Sequence, residues 1–120
     1  MTAEQKIKRH ILGVVGAPIN GDYDDLKRDS KFSDRIYDAQ NDLRMSGEFT
    51  KIKARGCSRH YECDEVAFKL SCGSWVGWTY WHGGGKHGEP EAMDWMNDAY
   101  DLNVTEEEKV VTVRKFEAIP

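Results

Sequence analysis

Residues 32–49 read FSDRIYDAQNDLRMSGEF. Ile36, Ala39, Gln40 and Leu43 recur at the three- and four-residue spacing of a helix with one inward face. Ser33 is a candidate N-cap, and Asp34 in the first turn suits the positive end of the helix dipole. Gly47 ends the segment. Asp34, Asp38 and Asp42 are four residues apart, so they form a stripe on the side away from Ile36 and Leu43.

Upstream, Ala3 to Val15 has Ile7, Ile11, Leu12 and Val15 on one face, with Thr2 as candidate cap and Gly16-Ala17-Pro18 as stop. Asn20-Gly21 is a turn. Asp22 caps a short helix to about Ser30, with Tyr23 and Leu26 inward. Downstream, residues 49–53 (FTKIK) alternate as a short strand. Residues 54–58 turn on Gly56, and Arg59 to Cys63 form the return strand.

Three short helices followed by a basic hairpin resemble a winged helix-turn-helix domain over about residues 3–63. Ser33, Ile36, Ala39, Leu43, Gly47 and Phe49 fill the roles of the recognition-helix signature of winged-helix regulators, and KIKARGCSRHYE (residues 51–62) is similar to the wing. The resemblance implies a reading helix in the major groove. Arg35, Asn41 and Arg44 would meet bases or nearby phosphates, while Lys51, Lys53, Arg55 and Arg59 on the wing would neutralise phosphates. The aspartate stripe opposes that expectation, since three carboxylates facing a polyanion are repelled. The alternative is a protein-binding domain that docks a basic partner through Asp34, Asp38 and Asp42.

The second half has a different character. Residues 1–62 carry 12 Lys/Arg and 10 Asp/Glu, a net of +2, whereas residues 63–120 carry 5 and 11, a net of −6. Val66 to Leu70 and Trp75 to Trp81 read as strands, Pro90 to Tyr100 as a helix with Met93, Met96 and Tyr100 on one face, and Val110 to Phe116 as a last strand. The fold expected is therefore α+β: a winged-helix domain over 1–63 and a ββαβ extension over 64–120, separate or packed as one unit. Trp75, Trp78 and Trp81 are core candidates by area, or interface anchors if exposed.

Residues 81–90, WHGGGKHGEP, invite two comparisons. The letters His82-Gly83-Gly84-Gly85 match the oxyanion loop of lipases, but no G-x-S-x-G elbow accompanies them. Lys86 is followed by His87 and not by Ser or Thr, so no phosphate-binding loop is formed either. A turn between strand and helix is the expectation. Cys57, His60, Cys63 and Cys72 have ligand chemistry, but C-x2-H-x2-C followed by a distant cysteine matches no familiar zinc motif, so neither metal nor cofactor is expected.

No acid–base pair and no nucleophile with a partner emerges, which points away from an enzyme. The longest uncharged run, Leu70 to Gly85, is too short and glycine-rich to span a bilayer. Three cysteines, an odd number, and no apolar leader point to a cytoplasmic protein with reduced thiols. Residues 73–96, GSWVGWTYWHGGGKHGEPEAMDWM, resemble small accessory proteins of bacteriophages and prophages. Two functions remain open: a phage-related transcriptional regulator that binds double-stranded DNA, its tail used for homodimerisation or partner binding, and a non-enzymatic inhibitor of a host defence or transcription complex that uses the acidic stripe and exposed tryptophans.

Overall fold

The computed structural model describes residues 1–53, 62–83, 90, 94–107 and 112–119. Three helices come first: α1 (Ala3–Val15), α2 (Tyr23–Arg28) and α3 (Ser33–Ser46). Among the described residues four strands follow, β1 (Glu48–Phe49), β2 (Glu62–Lys69), β3 (Trp75–His82) and β4 (Tyr100–Leu102), in one antiparallel sheet of order β1-β2-β3-β4. The class is α+β, as expected.

Helix α1 opens on a capping box. The Thr2 side chain accepts from the Gln5 amide at 3.2 Å, and the Gln5 side chain accepts from the Thr2 amide at 2.9 Å. Gly16 closes it in the left-handed conformation, φ 75°. Asp22 caps α2 through the Asp25 amide. The start of α3 differs from expectation: Ser33 lies inside the helix, and Phe32 at the N-cap makes no side-chain cap.

Ile7, Ile11 and Leu12 of α1 and Ile36 and Leu43 of α3 are buried with Val66, Val76 and Trp78 of the sheet. Burial of each large aliphatic side chain contributes about 1.5–3 kcal/mol. One buried cluster thus joins residues from both halves of the chain, and it also includes Trp95 and Met96.

The β2–β3 hairpin pairs eight residues, from Glu62 with His82 to Lys69 with Trp75, across a turn with Gly73 at φ 90°. Alternation places Val66, Val76 and Trp78 towards the helices, and Glu65, Ala67, Gly77, Thr79 and Trp81 on the opposite face. Two separate strands, over residues 59–63 and 66–70, were the expectation; Asp64 and Glu65 continue one strand instead. Each carboxylate has a local donor there. His82 Nε2 lies 2.8 Å from Asp64 Oδ2, and the Tyr100 hydroxyl donates to Glu65 Oε1 at 3.0 Å.

The expected wing is corrected in register. Strand β1 covers only Glu48 and Phe49, and pairs with Ala67 and Val66 rather than with residues 59–63. Gly47 causes this. A Cβ there would lie 2.6 Å from Val66 Cγ2, so only glycine lets α3 end directly against β2. Lys51 and Ile52 form a bend. Arg55, Gly56, Arg59 and most of the expected return strand lie outside the described residues.

The expected ββαβ tail is corrected too. Residues 94–99 hold turns, not a helix. Asp94 Oδ1 accepts from the Asn97 amide, and the Ala99 amide donates to the Met96 carbonyl. Aspartate side chains that bond nearby amides compete with helix in this way. Tyr100 then enters β4 opposite Gly77, where a Cβ on Gly77 would meet the Tyr100 ring at 2.6 Å. Residues 112–116 are described and form no strand; Val113 and Phe116 are exposed. Residues 91–93, Met93 among them, and Val110 lie outside the described residues. No helix among the described residues is long and apolar enough to cross a membrane.

Candidate functional site

The three side chains expected on a DNA-reading face separate. Arg44 is 6% exposed. Its Nη1 donates to the Trp81 carbonyl at 2.9 Å, its Nε donates to Asn41 Oδ1 at 3.1 Å, and its guanidinium lies 5.2 Å from the Tyr80 ring centre. The Arg44 carbonyl in turn accepts from Trp78 Nε1 at 3.3 Å. Arg44 is thus the clamp between α3 and β3, and Asn41 orients it. Only Arg35 of the three stays exposed.

Asp34, Asp38 and Asp42 are all exposed. Among the described residues none of them takes part in an ion pair. Asp38 and Asp42 stand with Arg35 on one rim of a groove of about 590 Å³ between α1 and α3. Its apolar lining includes Ile11, Val14, Ala39 and Phe68, with Val14 65% exposed. His10 lies on the α1 side, where its Nδ1 accepts from the Ser71 amide at 3.1 Å and burial lowers its pKa. The groove therefore combines an apolar floor with a carboxylate edge.

Lys51 and Lys53 are exposed after β1, and Arg55 and Arg59 lie outside the described residues. The tryptophans divide. Trp78 is fully buried against Trp95, ring centres 4.9 Å apart, which corrects its place among exposed anchors. Trp75 and Trp81 are half-buried on the sheet face away from the helices. Trp75 borders a shallow patch with Phe49, Ile52, Leu102 and Val104.

Two clusters were not anticipated from the sequence. His82 bridges Asp64 at 2.8 Å and Glu62 at 3.6 Å on the helix side of the sheet. Glu65, on the other face, is 3% exposed; its Oε1 holds the Tyr100 hydroxyl, and among the described residues its Oε2 has no hydrogen-bond partner. A buried acceptor left unpaired costs about 1–3 kcal/mol. Glu65 fell between the two strands expected from the sequence, so its face of the sheet was not read. Its burial was not legible either, because it depends on Tyr100 arriving from 35 residues away.

The cysteines differ in state. Cys63 is disulfide-bonded, contrary to the expectation of reduced thiols, whereas Cys72 is free and exposed. Among the described residues no group of His, Cys, Asp and Glu side chains is placed to hold a metal ion. Cys57, His60 and Gly84–Gly85 of the sequence motifs lie outside the described residues. Compared with protein-family models, curated proteins and solved structures, the chain shows no match to any.

Proposed function

We propose that this protein is a protein-binding module whose α1–α3 groove receives a basic, amphipathic segment of a partner. The observation that carries the reading is the composition of the exposed α3 face. It presents Asp34, Asp38 and Asp42 against a single Arg35, beside an apolar floor from α1 and β2. A partner with apolar residues along one stripe and Lys or Arg beside it matches both features.

Binding of duplex DNA through α3 is supported less well. Phosphate contact draws its affinity from cations that displace counterions. Arg44 and Asn41 are engaged within the chain, and carboxylates occupy the outward positions. Lys51 and Lys53 remain available as phosphate contacts, so DNA is the competing ligand to test. The likeness of the tail to phage accessory proteins supports the broader form of the proposal, an inhibitor that occupies a host complex.

The test is charge reversal with a matched control. D38K/D42K changes the groove rim, and D24K/D25K makes the same change in net charge on α2. Capture of a partner by the wild type and by D24K/D25K, lost in D38K/D42K, is the expected result. Equal loss in both variants would reduce the effect to net charge and remove the groove from the account.

A further inference from the structure

A cleft beside β3 and β4, lined by side chains from the sheet face turned away from the helices and closed by the segment before β4, plays no part in the α3 reading. Its volume is about 290 Å³. Thr79 and Trp81 of β3, Glu65 of β2 and Tyr100 of β4 line it, with Asp94, Trp95 and Asp98 from the segment before β4. That volume lies at the small end of ligand pockets, enough for a side-chain-sized group.

We propose that this cleft binds one organic cation, an ammonium or guanidinium group. Among the described residues the lining holds three carboxyl groups and no Lys, Arg or His, with Lys8 of α1 near enough to Asp94 to feel its charge. The Glu65 carboxyl is buried and supplies Oε2, an acceptor with no hydrogen-bond partner among the described residues. Unpaired buried acceptors of this kind are rare in folded proteins and call for a donor. Oε1 is fixed by Tyr100, so the orientation of the carboxyl is set before any ligand arrives.

The walls select the kind of cation. Trp81 and Tyr100, both half-buried, offer aromatic surface, which attracts weakly hydrated organic cations through the ring quadrupole. A divalent metal needs several convergent oxygen ligands. The described residues provide no such group. Asp94 and Asp98 add negative potential, although Asp94 Oδ1 also receives the Asn97 amide at 3.2 Å. Trp95 is held in place by its contact with Trp78, so this wall is preformed.

The cation has two possible sources, a basic side chain of a protein or a free amine. Both are tested by titrating the full chain with capped lysine amide, capped arginine amide, putrescine and the neutral capped norleucine amide, read by tryptophan fluorescence. Saturable binding of a cationic probe without binding of norleucine amide is expected. Glu65→Gln should weaken it by about tenfold or more, the scale of losing a hydrogen bond to a charged group. Tighter binding of the capped residues assigns the cleft to a protein side chain, and tighter binding of putrescine assigns it to a small molecule. D94N/D98N, at two exposed positions, is the second variant should Glu65→Gln not fold, and it should weaken binding several-fold. D38K/D42K should leave it unchanged, which separates this site from the α3 groove. Equal binding of cationic and neutral probes, no saturable binding, or indifference to both cleft variants overturns the proposal and leaves an ordered water as the partner of Oε2.

Discussion

The guanidinium of Arg44 donates to the main-chain carbonyl of Trp81 across 2.9 Å, and so ties the last turn of α3 to the end of β3. A residue whose position in the chain suggested contact with a ligand is thereby part of the core. The same helix turns its aspartates outward. These two placements together shift the function read from α3 away from a polyanion and towards a cationic partner.

Removing this clamp should cost stability. Arg44→Ala removes the guanidinium bond to the Trp81 carbonyl and takes packing from Tyr80. A hydrogen bond from a charged group is worth about 1.5–3 kcal/mol, so urea unfolding should show a loss of that order. Arg44→Lys should recover only part, because an ammonium cannot serve Asn41 and Trp81 with a planar fork. An Arg44→Ala protein as stable as the wild type would show that the clamp is not formed.

Gly47 tests the junction between α3 and the sheet. Its φ of −67° suits any residue, so the cost of Gly47→Ala is steric alone. The added methyl would meet Val66 at 2.6 Å and Trp78 at 3.2 Å. Overpacking of this kind destabilises by about 1–3 kcal/mol, and thermal unfolding should report it. Gly16→Ala is a useful contrast, since nothing lies within 4 Å there and only the positive φ is at stake.

Tyr23 gives a pH dependence with a defined sign. Burial, helped by Asp24, raises its pKa from 10.0 to about 12, and its hydroxyl donates to Gln40 Oε1 at 2.8 Å. The fold favours the neutral phenol. Its contribution to stability is therefore complete below pH 10 and is lost as the pH rises towards 12. Tyr23→Phe should flatten the stability profile across that window, and it should remove a late-titrating component from the phenolate absorbance of the folded protein.

Cys72 should react faster than an ordinary thiol. Hydrogen bonds from the Ser74 backbone and side chain, with the charge of Lys6, lower its pKa below 9.0. The thiolate is the nucleophile, so the pH–rate profile of iodoacetamide alkylation should be shifted to lower pH. Ser74→Ala should move the profile back part of the way, since the backbone bond survives.

Much of the helical half was legible because its signals are local. The Thr2 and Asp22 caps and the periodicity of Ile7, Ile11, Ile36 and Leu43 depend on neighbours within a turn or two. The sheet was less legible because its register depends on distant partners. Gly47 sets β1 against Val66, and Tyr100 leaves a helical pattern to cover Gly77. The site followed the same division. The exposure of Asp34, Asp38 and Asp42 could be read from spacing, whereas the burial of Arg44 and Glu65 required β3 and β4 to be in place.

The α1–α3 face is proposed to bind a basic protein segment in preference to nucleic acid. The most direct measurement is fluorescence anisotropy with two labelled probes, random duplex DNA and an amphipathic Leu/Lys helical peptide, from low to physiological salt. The peptide is expected to bind the wild type and D24K/D25K, D38K/D42K to abolish this binding, and duplex DNA not to bind. Duplex binding that weakens steeply with salt and falls in a K51A/K53A variant, with the peptide indifferent to D38K/D42K, would contradict the proposal.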